Sequence, residues 1–265
     1  LLHVPLETNS GFVEITFLGT GTSQGVPVIA CSCAVCRSQD PRDKRLRTSI
    51  SVKHHGHHIV IDSGPDFRQQ LLRENVQSLD AVLFTHEHKD HIAGLDDVRA
   101  FNFVQKRTMP VYATPRVHEA LKREYQYIFD GTNYPGIPQI EVTHFGNEPF
   151  HIGPIHVKPI QVYHHKLPVY GFRFDDFVYI TDANSIPVLE KDKIKRCKVL
   201  VLNALRREQH ISHFTLYEAI ALVEELQPEM TYFTHISHQL GAHAEVEQEL
   251  PPHIRLAYDG LRIRL

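Results

Sequence analysis

Between His86 and His91 the chain sets three histidines and an aspartate close together, as His86, His88, Asp90 and His91. They follow directly on the apolar run Ala81-Val82-Leu83-Phe84 and on Thr85. Neutral imidazoles suit zinc, manganese and iron, and a carboxylate adds negative charge and a harder oxygen donor. Side chains two apart in an extended stretch point the same way, so His86 and His88 share one side. Asp90 and His91 fall where the chain turns toward the next helix, and they face a second position beside the first. The spacing reads as two metals. The competing reading is a polar loop with chance histidines, in a chain that has 20 of them.

Further donors stand at the ends of other apolar runs. His164 follows Ile160-Gln161-Val162-Tyr163, Asp182 follows Val178-Tyr179-Ile180-Thr181, and His235 follows Tyr232-Phe233-Thr234. A layered fold can gather such strand-terminal residues on one rim. Asp62 ends Ile59-Val60-Ile61 and is expected to support the cluster by hydrogen bonds rather than to bind metal. His213 lies two residues before Thr215, near the positive end of the helix expected there, and is the candidate general acid. His210 is its rival, and His165 beside His164 has no assigned role. Cys31-x-Cys33-x-x-Cys36 brings three thiols into one turn, one short of the four ligands of a structural zinc. The fourth is Cys197 or a histidine; Cys197 precedes the apolar Val199-Leu200-Val201 and also reads as a small core residue.

The elements that must hold these residues read as follows. Strands are expected at 13–18, 49–53 and 58–62, then a helix near 66–75 leading to the strand at 81–84. Strands around 155–162, 170–174 and 177–181 precede a helix, a strand at 199–203, a second helix and a strand at 230–234. Strands in blocks with interspersed helices fit two sheets covered by helices. Thr215 and Glu218 form a capping box before the stripe Leu216, Ala219, Ile220, Val223 and Leu226, and Pro228 ends that helix. Gly19-Thr20-Gly21-Thr22-Ser23-Gln24-Gly25 has the wrong glycine spacing for a dinucleotide loop and is followed by cysteines, so it is read as a close backbone approach to the rim, with Ser23 or Gln24 near substrate. His54-His55-Gly56-His57-His58 is read as a solvated hairpin tip. Tyr125, Tyr127, Tyr134 and Tyr170 are read as packing residues with wet hydroxyls.

At 265 residues the chain can bury one large core, and it is read as a single domain over 1–265, with 1–11 an N-terminal extension. It opens on leucine, which points to a start methionine or a tag ahead of it. A net charge of −3 carries no basic field for nucleic acid. No apolar run approaches 18 residues and no signal-peptide pattern opens the chain, so a cytoplasmic, non-membrane protein is expected. Four cysteines are too few for a disulfide framework at this length.

His86-x-His88-x-Asp90-His91 is the HxHxDH signature, and with it the chain resembles a metallo-β-lactamase-superfamily hydrolase from about Phe12 to Leu265. Within that superfamily it is similar to the cyclic phosphodiesterase of the carbon–phosphorus lyase pathway. Gly19-Thr20-Gly21 with Val26-Pro27, the cysteines at 31–36, His164 with Lys166-Leu167, and Thr234-His235-Ile236-Ser237-His238-Gln239 carry that closer likeness. The resemblance implies an α/β fold, the αββα sandwich. It implies that His86, His88 and His164 hold one metal, that Asp90, His91 and His235 hold the other, and that Asp182 bridges both. It also implies His238 as fourth ligand of a Cys₃His zinc, and related phosphodiesterases place a histidine where His213 stands. Enzymes of this fold that open β-lactams commonly carry cysteine at the position of Asp182; an aspartate favours a tight pair, ~3.5–4 Å apart, suited to a bridging hydroxide.

The expected function is that of a dinuclear, manganese- or zinc-dependent phosphodiesterase with one further structural zinc. Its substrate is a small or cyclic phosphodiester, for which the resemblance suggests 5-phosphoribosyl 1,2-cyclic phosphate. Asp90 and His213 are the residues assigned to catalysis, and no substrate-binding residue is assigned. The alternatives are a tRNA 3′-end endonuclease-like nuclease and a thioester or lactone hydrolase on the same metals. Nucleic acid is disfavoured for lack of a basic excess or a Gly/Pro-rich arm. A catalytically dead scaffold is disfavoured because every ligand position is filled, and a homodimer is left open.

Overall fold

The computed structural model describes residues 12–131 and 134–265; the expected extension at 1–11 lies outside the described residues. Among the described residues, fourteen strands form two seven-stranded sheets. The first sheet holds β1 (Glu14–Gly19), β2 (Ser49–His54), β3 (His57–Ile61), β4 (Ala81–Leu83), β5 (Met109–Ala113), β6 (Ile140–His144) and, on its outer edge, β14 (Arg262–Arg264). The second holds β7 (Phe150–Ile152), β8 (Ile155–His164), β9 (Leu167–Phe174), β10 (Phe177–Tyr179), β11 (Val199–Asn203), β12 (Met230–Thr234) and β13 (Ile254–Leu256). The helices are α1 (Ala34–Arg37), α2 (Phe67–Arg73), α3 (Lys89–Ile92), α4 (Arg99–Gln105), α5 (Pro115–Glu124), α6 (Gln126–Phe129), α7 (Val188–Lys191), α8 (Leu216–Leu226) and α9 (His243–Glu249).

The alternation of strand side chains builds three apolar layers. Ile15, Phe17, Ile59, Ile61 and Leu83 of the first sheet meet Phe172, Phe174, Tyr179 and Val201 of the second, filling the space between the sheets. On the outer face of the first sheet, Leu18, Val60, Val82 and Val111 pack on Phe67, Leu71, Val117 and Leu121 of α2 and α5. On the outer face of the second, Val178, Leu200, Leu202 and Phe233 pack on Leu216, Ala219, Val223 and Leu226 of α8. Both faces of each sheet are apolar, so neighbouring residues such as Val178 and Tyr179 are both buried for opposite reasons. The result is a helix–sheet–sheet–helix sandwich.

Strand direction decides where the polar strand ends go. β3, β4 and β5 are mutually parallel, and so are β10, β11 and β12. β8 runs antiparallel to β9, which runs antiparallel to β10, so β8 also ends on the same side as β10. The C-terminal ends of β3, β4, β8, β10 and β12 therefore open on one rim. The capping box at the start of α8 is formed, with Thr215 N–H donating to Glu218 Oε2 (2.8 Å) and Glu218 N–H to Thr215 Oγ1 (3.2 Å). Helix α8 ends on Gln227 in a left-handed conformation just before Pro228. No described helix is long and apolar enough to cross a membrane.

Two sequence expectations are corrected. The tract 54–58 is not a solvated tip throughout, because His54 and His58 are buried where β2 and β3 enter the turn, and His58 Nε2 lies 2.8 Å from Ser51 Oγ. Tyr125 is buried rather than wet: its hydroxyl donates to Ile92 O (2.7 Å) and accepts from Leu95 N–H (3.2 Å), and burial pushes its pKa up to about 12.

Candidate functional site

The rim gathers His86, His88, Asp90, His91, His164, Asp182, His213 and His235. Their donor atoms form three overlapping groups: Asp90, His91, Asp182 and His235; His86, His88 and Asp182; and His164, Asp182 and His213, each within 4.8 Å internally. Asp182 is common to all three. Its Oδ1 lies 2.9 Å from His235 Nδ1 and 3.4 Å from His91 Nε2. Its Oδ2 lies 3.4 Å from His213 Nε2 and 3.7 Å from His86 Nε2.

His86 and His88 lie just beyond the strand, with His88 in an extended conformation (φ −65°, ψ 149°). β4 stops at Leu83, and His88 is the residue before α3. Their rings meet all the same, with His86 Nε2 3.0 Å from His88 Nδ1. Helix α3 then carries Asp90 and His91 round to the other side of Asp182. Asp62, Asp182 and His235 each take a left-handed backbone just past a strand, with φ of 65°, 55° and 55°. That conformation costs an L-residue roughly 1–2 kcal/mol and persists only where the surroundings enforce it. Here it turns the side chain off the strand's alternation and onto the rim.

Hydrogen bonds behind the imidazoles fix which nitrogen faces the centre. Asp62, fully buried, accepts from Thr85 N–H (2.9 Å), from the Thr85 hydroxyl (2.8 Å) and from His91 Nδ1–H (2.7 Å). A hydroxyl has one proton, and Thr85 gives it to Asp62, so Thr85 Oγ1 accepts from His86 Nδ1–H at 2.9 Å. His164 Nδ1–H donates to Ser212 O at 2.7 Å. Three rings thus turn Nε2 toward the rim. Thr85 and the Ser212 carbonyl were not singled out in the sequence; a hydroxyl directly before the first histidine was the available signal for Thr85. Asn203 holds Ala183 by both amide atoms, Ala183 N–H to Oδ1 (2.8 Å) and Nδ2–H to Ala183 O (2.9 Å), and so anchors the turn after Asp182.

Charge follows from this packing. Burial opposes ionising Asp182, but His235 and His91 outweigh it and hold the carboxyl well below its ordinary range. Burial opposes charging His91, yet Asp182, Asp90 and Asp62 outweigh it and raise its pKa well above 6.5, so Nε2 holds a proton that a bound cation would displace. Burial and the neighbouring His91 hold His86 neutral. Burial also pulls His213 down to about 4 despite Asp182 beside it.

The donor set fits metal. His91 Nε2 and His235 Nδ1 are buried without an aligned hydrogen-bond partner, although carboxylate oxygens lie close by. Lone pairs that crowd together without pointing at one another converge on a shared point, which suits a cation. His165 is exposed and joins none of these donor groups, its backbone N–H bonded to Asn184 Oδ1. His210 meets the site at His213, at 3.2 Å between Nδ1 atoms, and at Ser212, whose N–H donates to His210 Nδ1 (3.3 Å).

Cys31, Cys33 and Cys36 converge on His238 from the other side of the β12 end. The three sulfurs lie 3.4, 3.3 and 3.5 Å from His238 Nδ1. A tetrahedral zinc with ordinary Zn–S and Zn–N bonds has S···N edges of ~3.6 Å, so the spacing suits one ion. The Cys36 backbone N–H and His238 lower Cys33 to about 6, while burial raises Cys36 to about 11. Cys197 stays in the core away from this turn, raised by burial to about 11. The glycine loop ties the groups together: Gly21 bridges Arg47 and Ile236, and a Cβ at Gly19 would sit 2.0 Å from Arg47 O.

Comparison with known proteins agrees with this geometry. The model of the beta-lactamase superfamily domain matches residues 57–236. A crystal structure described as a new diphosphatase from the PhnP family superposes with a TM-score of 0.90 at 40% identity, covering 96% of this chain and 97% of that one. An octanoyltransferase of Porphyromonas gingivalis is 40% identical over 247 residues, which is 92% of this chain and 50% of that protein. A ribonuclease Z of Nanoarchaeum equitans is 25% identical over 159 residues, 58% of this chain and 44% of that protein. The chain thus spans half or less of the length of these curated relatives. With the two-sheet sandwich, the donor-lined rim and a family match over most of its length, the chain belongs to the beta-lactamase superfamily and is a metal-dependent hydrolase of the metallo-β-lactamase fold.

Proposed function

We propose that the chain is a phosphodiesterase that uses two metal ions on a small, anionic phosphodiester. The observation that carries this reading is Asp182, whose two oxygens face different imidazoles, His91 and His235 on one side and His86 and His213 on the other. In this reading His86, His88 and His164 hold one ion, Asp90, His91 and His235 the other, and Asp182 spans both. When bound, such a pair lowers the pKa of water toward about 7 and polarises a phosphoryl oxygen.

The chain's own residues do the rest. Asp62, Thr85 and the Ser212 carbonyl keep the imidazoles aimed, and His235 and His91 hold the Asp182 carboxyl well below its ordinary range. His213 is the general acid: a P–O bond forms to water, which releases a proton to solvent, the P–O bond to the leaving group breaks, and His213 Nε2 gives the departing oxygen its proton. Held at about 4, His213 is neutral until an anionic substrate sits beside it, and that negative charge is what favours its proton. The Cys31, Cys33, Cys36 and His238 set holds a structural zinc that fixes the loop just beyond His235.

The diphosphatase neighbour supports phosphorus chemistry, since a diphosphate linkage presents the same anionic phosphorus between two oxygens. 5-Phosphoribosyl 1,2-cyclic phosphate is one substrate of this class. The octanoyltransferase and ribonuclease Z relatives keep acyl and RNA substrates as competing readings. A hydrolysis panel decides among them, under manganese and zinc separately: bis-p-nitrophenyl phosphate, ribose cyclic phosphates, cyclic nucleotides, a diphosphate diester, a thioester and a precursor tRNA. Turnover is expected for a small phosphodiester; thioester turnover with no phosphodiester turnover would sink the proposal.

A further inference from the structure

A second donor cluster lies at the opposite end of the sandwich. The β2–β3 turn and the β9–β10 turn sit where β3 and β10 begin, whereas Asp62 and Asp182 follow where those strands end. There His54, His55 and Asp175 bring one donor atom each within 4.8 Å of one another. His54 Nε2 is 3.0 Å from Asp175 Oδ2, and its Nδ1 is 3.4 Å from Phe12 O. Adjacent residues of a strand point to opposite faces, so His54 and His55 should diverge. His55 instead takes a left-handed backbone, φ 49°, which folds its ring onto that of His54 with centroids 3.8 Å apart. The His54 side chain is 3% exposed, while the Asp175 side chain is 61% exposed.

We propose that His54, His55 and Asp175 form a peripheral binding site for a divalent transition metal of the zinc type, separate from the rim and from the cysteine turn. Two imidazoles and a carboxylate with solvent on the open side are a donor set that zinc, nickel or copper accepts. Nearby positive charge does not bar it, because Arg264 and Lys53 are engaged by Glu14 at 2.6 and 4.0 Å. An ion here would join a turn of the first sheet to a turn of the second. It would act as a clamp across the end of the sandwich that the catalytic rim leaves unlinked.

The test uses the full chain with its rim and cysteine sites already loaded, dialysed against buffered zinc. Bound zinc per chain is counted for the wild type, His55→Ala and Asp175→Asn, and crystals soaked in zinc are measured at the zinc edge. His55→Ala removes an exposed side chain and should leave the fold and hydrolysis unchanged. The expected result is loss of one equivalent in each variant, with an anomalous peak bounded by His54, His55 and Asp175 in the wild type. Equal zinc in all three proteins overturns the proposal. So does a peak that lies instead at the exposed His118–His144 pair.

Discussion

Single side chains divide the chemistry between binding an ion and aiming the binder. In the proposed reading Asp62 does the second, through the three hydrogen bonds it accepts. Asp62→Asn keeps the shape but places an NH2 against donors, so His91 loses its anchor and Thr85 loses one acceptor. Metal affinity at the rim is expected to fall about 10–100-fold, as for other groups that orient ligands, while the cysteine turn keeps its ion; titration with a competing chelator measures both. Undiminished rim affinity would remove Asp62 from the role assigned to it. His213 separates from the ligands by a different readout. His213→Ala should slow esters with poor leaving groups by about 10²–10⁴-fold and p-nitrophenyl esters far less, because nitrophenolate leaves without a proton. A uniform loss across leaving groups would make His213 a ligand or a prop instead of an acid.

Secondary elements set how closely those side chains can approach. Helix α3, which carries Asp90 and His91, is only four residues long and cannot position itself. It is seated by backbone contact: a Cβ at Gly64 would lie 2.0 Å from Asp90 O, and one at Gly94 would lie 2.1 Å from Gly64 O. Both obstacles are backbone, which has nowhere to yield without moving Asp90. Gly64→Ala should therefore cost stability by about 1–3 kcal/mol, as overpacking does, and reduce metal binding at the rim as well. Chemical denaturation and metal titration of the same preparation test this; a stable variant with normal metal content would refute the close-seating account. The glycines and the HxHxDH run were both visible in the sequence, but nothing in the spacing of Gly64 and Gly94 announced that they meet each other and α3.

For the whole molecule, burial of polar groups away from the rim ties stability to pH. His58 is held neutral between β2 and β3, where burial first and Lys53 second pull its pKa down to about 4. Burial and Arg45 pull His243 down to about 4 in the same way. The unfolded chain takes up protons near 6.5, before these folded groups do. Stability that is full above that value is therefore lost as pH falls toward 4, at about 1.4 kcal/mol per pH unit for a buried histidine. Metal-free protein unfolded in urea at pH 7 and pH 5 should lose about 2 kcal/mol more than His58→Gln over that interval. Parallel profiles for the two proteins would show that His58 titrates normally.

Local chemistry alone carried a large part of this protein. Apolar runs with polar ends, the HxHxDH run, the cysteine spacing and the Thr215–Glu218 box are patterns over short windows, and each arises from a period or a donor type that needs no partner to be read. What the tertiary structure decided is everything that depends on residues distant in sequence meeting at one point. Asp182 has its two oxygens against four imidazoles because β10 lies parallel to β11 and β12 and its end turns left-handed onto the rim. His238 meets the cysteine turn because Gly21 pairs with Ile236. His54 and His58, expected in solvent, are buried because the second sheet and Ser51 cover them. A one-dimensional pattern specifies which groups are available for chemistry. Strand direction, backbone handedness at strand ends and close backbone packing specify which of them share a site.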